Sequence, residues 1–444
     1  MRSTPARRTL PRRSFVAGTA ALFGTPLAAA CGSDGSDRAG GGGGTLDVWV
    51  YEDPSTVVQE EAVKRFNKSS DIKAKLTRVP GDGYENKLRT SMGTGNAPDI
   101  FFNWGGGSIQ DFVRKDMVLD LTPYLREDSR FKDAFIPSIL EAGTVDRKYY
   151  GVPMRSVQPV LLFYNKDVFR EAGAEPPRSW NDMLDLVDTF KKRDVIPYAL
   201  GGAEPWTDQM WLEYLLDRYG GHEIFYKVQN GDMSAWGHPA VLKAAQAVED
   251  LVRRGAFGKK YKSVQYTNDA APTLLAKGRA AMHLMGSWEY ANQKAQQPDF
   301  AKDGLGWVRF PDLPGGRGDP ANVVGNPTNY WSVNAKVADG EQGGKREAAA
   351  VEFVKLAAEK EYSRALIDNG DVPPTAHARS LLSEHDNPAY ARFQYDLVDK
   401  APYFTVSWNQ ALPAKQGTPM LTAIEKLFNG QIGPEKFVAT LKGL

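Results

Sequence analysis

Apolar and polar positions follow two different periods along the first part of the chain. Residues 45–51 (TLDVWVY) are rich in β-forming residues and predict a strand. Apolar residues recur at helical spacing over 58–66, and the segment 72–76 returns to the alternation of a half-buried strand. A second helix is predicted over 84–92 and a third strand over 99–103. Repeated strand–helix units predict a largely parallel sheet covered by helices.

The same two periods return farther along the chain, where we expect a second lobe. Residues 159–165 (PVLLFYN) predict a strand, and short strands and turns are predicted over 304–335. The predicted helices of this part cover 179–190, 209–219, 240–254, 345–359 and 418–429. The chain has 444 residues, which is enough for two cores, and we expect it to cross between them two or three times at a hinge.

Residues 1–31 have the layout of a twin-arginine export signal. Arg12 and Arg13 precede an apolar run of small residues that ends at Cys31. The run is too short and too rich in Gly and Ala for a membrane span. Cys31 is predicted to be a lipidation site, with an incidental thiol as the alternative. Residues 32–44 (GSDGSDRAGGGGG) predict a flexible tether between the anchor and the folded body.

Composition narrows the classes of function. The chain is 42% hydrophobic and 25% charged, as ordinary globular domains are. Five of its 55 basic residues lie in the export signal, which holds no acid, so the remainder carries 50 basic and 54 acidic residues. This mildly acidic body argues against a nucleic-acid partner. One cysteine and five histidines without metal-ligand spacing predict no disulfide, no metal site and no cofactor.

Residues 103–107 (NWGGG) pose a choice between a phosphate-binding loop and one wall of a sugar site. A dinucleotide fingerprint needs a third glycine where this chain has Gln110, and a P-loop needs a G-K-[ST] that this loop lacks. The spacing therefore argues against phosphate. The glycines permit a tight turn and close backbone approach, and a purely structural turn is the alternative.

The ten tryptophans of the chain favour the sugar interpretation. Five lie beside turn signals and polar residues, namely Trp104, Trp206, Trp288, Trp331 and Trp408. An indole offers a flat apolar face for the C–H face of a pyranose, while neighbouring carboxylates and amides bond the hydroxyls. Taken singly, such a tryptophan is more often a core residue. Trp180 and Trp211 lie in amphipathic helical patterns and are expected in the core.

Four stretches together carry a family resemblance: APDIFFNWGGGSIQDFVRKDMVLDLTPYL, YYGVPMRSVQPVLLFYNKDVFREAGAEPPRSWNDML, GRAAMHLMGSW and GDVPP. The chain resembles the extracellular solute-binding proteins (family 1) of bacterial ABC sugar importers, the group that contains the maltose-binding protein. The resemblance implies an α/β, two-lobed periplasmic-binding-protein-like fold of type II. Each lobe would be a mainly parallel sheet flanked by helices. The implied lobes are 45–155 with about 323–370, and 156–322 with about 371–444, joined by hinge crossings.

The resemblance also implies a set of sugar contacts by local match. Gln158 stands where the maltose-binding protein has an acidic contact, and the NWGGG loop is similar to that of relatives specific for xylo-oligosaccharides. Trp206 is expected on a loop after Gly-Gly-Ala-Glu-Pro, with the Glu204 carboxylate accepting sugar hydroxyls. The implied contacts are Glu52, Asp53, Asn103, Trp104, Gln158, Glu204, Trp206, Trp288, Tyr330, Trp331, Asp371 and Trp408.

The implied function is an exported receptor that captures a di- or trisaccharide, a xylo-oligosaccharide among the candidates, and delivers it to the permease of an ABC importer. We expect a monomer without catalytic residues, held at the outer face of the cytoplasmic membrane by its lipid anchor alone. Two other classes stay open. One is an exported glycoside hydrolase or lyase, because carboxylates abound. The other is a binder of a non-sugar solute such as glycerol phosphate or a peptide.

Overall fold

The computed structural model describes residues 44–444, so the predicted export signal, Cys31 and nearly all of the predicted tether lie outside the described residues. The strands are β1 (Leu46–Tyr51), β2 (Ala74–Val79), β3 (Ile100–Asn103), β4 (Thr144–Val145), β5 (Lys148–Tyr149), β6 (Val152–Pro153), β7 (Gln158–Asn165), β8 (Ile196–Ala199), β9 (Ala280–Gly286), β10 (Leu305–Val308), β11 (Val323–Asn326), β12 (Tyr330–Val333) and β13 (Phe404–Val406).

The α-helices cover both lobes and confirm the helical segments predicted from the sequence to within a few residues. They are α1 (Thr56–Ser69), α2 (Tyr84–Met92), α3 (Gly107–Val113), α4 (Thr122–Glu127), α5 (Ser129–Asp133), α6 (Pro137–Glu141), α7 (Lys166–Ala172), α8 (Trp180–Lys191), α9 (Pro205–Gly220), α10 (Glu223–Gln229), α11 (Pro239–Arg254), α12 (Ala270–Ala276), α13 (Trp288–Gln296), α14 (Gly343–Lys355), α15 (Lys360–Asn369), α16 (Pro388–Asp399), α17 (Trp408–Ala411), α18 (Ala414–Phe428) and α19 (Pro434–Lys442).

The first sheet has the strand order β2-β1-β3-β12-β6. β1 pairs in parallel with β2 and β3, as the strand–helix alternation predicts. β12 comes from a distant part of the chain and pairs antiparallel with β3 and β6. The sheet is therefore parallel where strand–helix units build it and antiparallel where β12 joins it, which differs from the expectation of a mainly parallel sheet.

The second sheet has the order β13-β11-β7-β9-β8, and β10 also pairs with β7. β7 is its central strand and pairs antiparallel with β9, β10 and β11, whereas the outer pairs β8–β9 and β11–β13 are parallel. Apolar residues fill most of β7, as expected of a strand covered on both faces. Because β11 belongs to this sheet, the chain returns to the first sheet after Asn326, slightly later than the expected boundary at about 323.

Each sheet has its own hydrophobic core, which gives the two lobes of the predicted fold. The core of the first sheet includes Val48, Phe101 and Phe353, and that of the second includes Leu161 and Trp211. We call these two parts the first-sheet lobe and the second-sheet lobe. The predicted core positions of Trp180 and Trp211 are confirmed, since both side chains are buried in the second core.

The chain crosses between the lobes at three places that are hydrogen-bonded to one another. The first crossing joins β6 to β7, the second joins β11 to β12, and the third lies between α15 and α16. The Met154 N–H donates to the Asn329 carbonyl at 2.8 Å, and the Val157 N–H donates to the Val372 carbonyl at 2.9 Å. The three segments therefore form one connected hinge region beneath the space between the lobes.

Candidate functional site

A cleft of about 620 Å³ opens between the lobes, above the hinge crossings. On the first-sheet lobe it is lined by residues that follow β1 and β3. On the second-sheet lobe it is lined by the N-terminal ends of α9 and α13 and by residues of the segments 266–269 and 407–410. Its size is in the range of small-molecule sites. Seven of the predicted contacts line it: Glu52, Asp53, Trp104, Gln158, Glu204, Trp206 and Trp288.

Three aromatic side chains form the wall on the second-sheet lobe. The Trp206 ring meets the Tyr266 ring edge-on, with 5.3 Å between centroids, and lies 6.3 Å from the Trp288 ring at an angle of 48°. The predicted loop position of Trp206 is wrong, because Pro205 already begins helix α9 and Trp206 is its second residue. Trp288 likewise begins α13. Both indoles are half-buried at the start of a helix, where they face the cleft.

The position of the Trp288 ring depends on a neighbouring glycine. Gly286 is the last residue of β9, and a Cβ atom at this position would overlap the Trp288 ring. Glycine therefore lets the indole lie directly against the end of the strand. The glycine in the Met-Gly-Ser-Trp sequence at 285–288 thus determines how closely the Trp288 ring packs against the end of β9.

Tyr51, Phe102 and Trp104 form the opposite wall, and the buried Tyr84 ring packs behind them. The Trp104 ring makes edge contacts with Phe102, Tyr51 and Tyr84, at centroid distances of 4.9, 5.8 and 5.8 Å. Tyr84 is itself fixed, because its hydroxyl donates to the Phe102 carbonyl at 2.7 Å. Trp104 is therefore held from several sides while its half-buried ring lines the cleft.

Asn103 and Tyr330 are buried beside the glycine loop and do not line the cleft. Asn103 is buried, and its side chain donates to Ser332 Oγ at 2.8 Å and accepts from the Gly105 N–H at 2.8 Å. The Tyr330 hydroxyl donates to the Ile139 carbonyl at 2.6 Å. Both were predicted to contact ligand, but their pairing across β3 and β12 turns them into the first-sheet lobe.

Trp331 and Trp408 were also predicted as contacts, and both are core residues. Each is 1% exposed. Trp331 alternates with Tyr330 along β12 and packs against Phe353 of α14, while Trp408 packs between Phe225 and Trp236. Local turn signals suggested exposure, but the helices that cover these positions are remote in sequence.

Asp371 lies behind the cleft wall and not in it. Its buried carboxylate accepts from Ser55 Oγ at 2.7 Å and from Asn369 Nδ2 at 2.8 Å. Ser55 does line the cleft, next to Asp53 at the start of α1. Asp371 therefore ties the third crossing to the first-sheet wall, which is a positioning role.

An ion pair between buried Arg155 and half-buried Asp53 joins the cleft to the hinge. Arg155, 2% exposed in the first crossing, pairs with Asp53 through Nη1 and donates from Nη2 to the Tyr51 carbonyl at 3.2 Å. Burial raises the pKa of Asp53, and the Arg155 guanidinium opposes that rise. The Asp53 carboxylate also accepts from the Ser55 N–H at 2.9 Å. Arg155 was not predicted as a site residue, because only the path of the first crossing brings its guanidinium to Asp53.

Glu204 holds one wall of the cleft together. Its carboxylate accepts from the Tyr266 N–H at 3.0 Å, from the Thr267 N–H at 3.3 Å, and from the Thr267 hydroxyl. The expectation of a carboxylate free for sugar hydroxyls is thus incomplete, because Glu204 already fixes the segment that presents Tyr266 beside Trp206. No local sequence pattern marked Tyr266, whose segment is held at the cleft by this long-range hydrogen bond.

Nine amide side chains also line the cleft. Gln158 is buried in the cleft floor and donates from Nε2 to Asn329 Oδ1 at 2.8 Å. Gln209 donates from Nε2 to Asn409 Oδ1 at 2.9 Å. Amides both donate and accept, which suits a ligand with many hydroxyls. The amides lining the cleft are Asn86, Gln158, Gln209, Asn292, Gln296, Asn326, Asn329, Asn409 and Gln410.

A second buried carboxylate, Glu213 of α9, fixes the segment 407–410. Its Oε1 accepts from the Trp408 N–H at 2.7 Å and from Gln209 Nε2 at 2.7 Å. Burial raises the pKa of Glu213 to about 7, and these hydrogen bonds oppose the rise. Glu213 was not predicted from the sequence, because it lies in the middle of a helix that is buried on all sides, away from any turn signal.

Two further findings limit the chemistry of the described residues. Within 44–444, no group of three or more His, Cys, Asp and Glu side chains is arranged to hold a metal ion. The same part of the chain contains no helix of sufficient length and apolarity to traverse a bilayer.

Comparison with known proteins places these features among transport proteins. A family model described as bacterial extracellular solute-binding protein matches residues 51–363. An uncharacterized ABC transporter extracellular-binding protein of Pyrococcus horikoshii is 28% identical over 52% of this chain and 53% of its own, so the chain spans about half the length of that relative. The diacetylchitobiose binding protein DasA of Streptomyces coelicolor is 28% identical over 79% of each chain.

A solved structure supports the same fold. It comes from work on xylan utilization by the thermophilic bacterium Caldanaerobius polysaccharolyticus, with 25% identity and a TM-score of 0.79. The superposition covers 90% of this chain and 99% of that one. The predicted two-lobed fold is confirmed by this likeness and by the two sheets.

The Glu213 carboxylate predicts a specific pH dependence of folding stability. Its pKa near 7 lies above that of an unfolded glutamate, so the folded chain binds this proton more tightly. The contribution is complete below about pH 4.5 and is lost as pH rises to about 7, by about 3 kcal/mol in total. Relative to Glu213→Gln, the parent should lose that stability in denaturant melts between these pH values. Glu249→Gln, which changes an exposed carboxylate of α11, should keep the parent's profile, and a parent-like slope in Glu213→Gln would refute the assignment.

Proposed function

The chain belongs to the bacterial extracellular solute-binding protein family, and on that premise we propose that it captures an uncharged di- or trisaccharide for an ABC importer. The observation that carries the proposal is the pair of aromatic walls on opposite lobes, Trp104 on one and Trp206 with Trp288 on the other, which line one cleft. Indole faces suit the C–H faces of pyranose rings, and the amides and carboxylates between them suit the hydroxyls.

The charges in the cleft support an uncharged ligand over a phosphate. Among the described residues that line it, Arg155 is the single cation, and Asp53 already pairs with it. A phosphate or a sugar acid would meet an excess of carboxylates and no free guanidinium or ammonium. The carboxylates lining the cleft are Glu52, Asp53, Glu85, Glu204 and Asp269.

Capture follows from the two lobes and their hinge. A ligand that touches both walls has more contacts when the lobes are close together, so it shifts the population toward the closed form. The ion pair between Asp53 and Arg155 connects the first-sheet wall to the first crossing. The closed form would then dock on the transmembrane permease, whose ATPase supplies the energy. No reaction on this chain is part of the proposal.

The names of the relatives support two ligand series, chito-oligosaccharides and xylo-oligosaccharides. A thermal-shift screen of the purified protein against chito-, xylo-, cello- and malto-oligosaccharides tests the proposal. At a hundred times its dissociation constant, a true ligand should add about 2.7 kcal/mol of stability. No shift with any series would count against sugar capture. Release of shorter products from xylan or chitin oligomers would favour the glycoside hydrolase instead.

Trp206 is predicted to be the main stacking platform on the second-sheet lobe. Removing its ring in Trp206→Ala should cost about 2 kcal/mol of apolar contact, or roughly a thirtyfold loss of affinity in titration calorimetry. The loss of folding stability should stay below the roughly 3–5 kcal/mol typical of a core tryptophan. Trp307→Ala removes another half-buried indole that is not in the cleft, and it should leave affinity unchanged. Parent-like affinity in Trp206→Ala would remove it from the site.

The cellular location of the protein can be tested with a variant near the N-terminus. We propose that Cys31 becomes the lipidated N-terminus after export through the Arg12-Arg13 signal, leaving the body tethered at the outer face of the cytoplasmic membrane. Cys31→Ala should move the protein from the membrane fraction to the soluble fraction, while Ser33→Ala should not. Membrane association equal to the parent in Cys31→Ala would show that the anchor is elsewhere.

A further inference from the structure

The glycine loop of the first-sheet lobe touches the backbone of the second-sheet lobe. Gly107 begins α3, whose Ile109 lies in the first core, whereas Ala411 and Leu412 belong to the second core. A Cβ atom on Gly107 would lie 2.8 Å from the carbonyl oxygens of both Ala411 and Leu412. Side-chain carbons are essentially never found this close to such atoms, so the approach of the two backbones requires glycine.

The backbone conformation of helix α3 does not require glycine at position 107. Its φ is outside the left-handed region, unlike the neighbouring Gly105 at +76° and Gly106 at +46°. The first residue of a helix accepts alanine readily, and alanine has the higher helix propensity. The close neighbours of the missing side chain are all backbone atoms of the other lobe. The requirement for glycine at this position therefore comes from the approach of the lobes.

Neither side of the contact is free to yield. On the second-sheet lobe, the Trp408 side chain is packed in the core, and its backbone N–H donates to the Glu213 carboxylate. The Leu412 backbone N–H donates to the Trp408 carbonyl at 3.0 Å. On the first-sheet lobe, the Ser108 hydroxyl donates to the Gly105 carbonyl at 2.7 Å, and the Gly106 N–H donates to the Ala142 carbonyl at 3.2 Å. An added methyl group would have to separate the lobes locally.

The contact borders the cleft, since Trp104 on one side and Gln410 on the other both line it. We propose that Gly107 is a positioning residue for ligand capture: its missing side chain lets the lobes meet beside the cleft, and this sets how far they close on a sugar. Gly107 is not among the residues that line the cleft. It therefore acts on affinity through the closed state and not through contact with ligand.

The test is Gly107→Ala, with affinity and hydrogen exchange as separate readouts. Affinity for N,N′-diacetylchitobiose or xylotriose should fall at least about tenfold, the scale expected for a methyl group forced into a packed contact. Without ligand, amides in the segments 104–113 and 407–413 should exchange faster than in the parent. Thermal stability of the first-sheet lobe should not fall, because alanine is compatible with the start of α3.

Gly344→Ala is the matched control. Gly344 is the second residue of α14, is exposed, and has open space around a Cβ atom, so this variant should match the parent in both readouts. Parent-like affinity or unchanged exchange in Gly107→Ala would overturn the inference. A variant unable to fold would also contradict it, because glycine would then be needed within its own lobe. The affinity measurement rests on the proposed function and uses a sugar that the parent binds in the thermal-shift screen. If the parent binds no sugar of the four series, the proposed function fails, while hydrogen exchange still decides the contact at Gly107.

Discussion

Three crossings of the chain, hydrogen-bonded to one another, join two separately packed sheets. This constraint organises the molecule. Arg155 illustrates it, because its carbonyl accepts from the Thr328 hydroxyl of the second crossing at 2.7 Å while its guanidinium pairs with Asp53 in the cleft. A buried cation requires such partners, since an unpaired one would be costly. The cleft and the hinge consequently share a residue.

The cleft walls depend on a second layer of polar side chains. Glu204 fixes the segment with Tyr266, Glu213 fixes the segment with Asn409, and Asn103 fixes the glycine loop. In each case one side chain accepts a hydrogen bond from at least one backbone N–H of the segment. These bonds hold the cleft walls in place without a ligand, and a pre-formed wall lowers the ordering cost of binding.

The sequence predicted the fold class, the order of the main elements and part of the cleft lining. Trp206 and Trp288 could be placed at the cleft because turn signals lie beside them, although Trp206 begins a helix and does not lie on the predicted loop. Trp331 and Trp408 have similar local surroundings, yet helices far away in the sequence bury them. Tyr266 shows the opposite error, since a carboxylate 62 residues away brings it to the cleft.

The local sequence pattern also did not predict which strands run parallel and which run antiparallel. Periodicity indicates that β7 and β12 are strands, but their direction in the sheet depends on the crossings that precede them. Local sequence encodes which face of an element is apolar. It does not encode which remote element will cover that face, and the burial of Trp331 and Trp408 depends on that.

The edge-on packing of the cleft aromatics has a consequence for how binding preference can change. Trp206 contacts Tyr266 and lies near Trp288, so replacing one ring alters the support of the others. The free-energy effects of two such substitutions are therefore expected to depart from a simple sum. If the proposed function holds, a new preference would be reached by exchanging the three rings together, with Glu204 kept to hold the segment that presents Tyr266. If the proposed function holds, the aromatic set of a wall can diverge while the sheet that supports it remains unchanged.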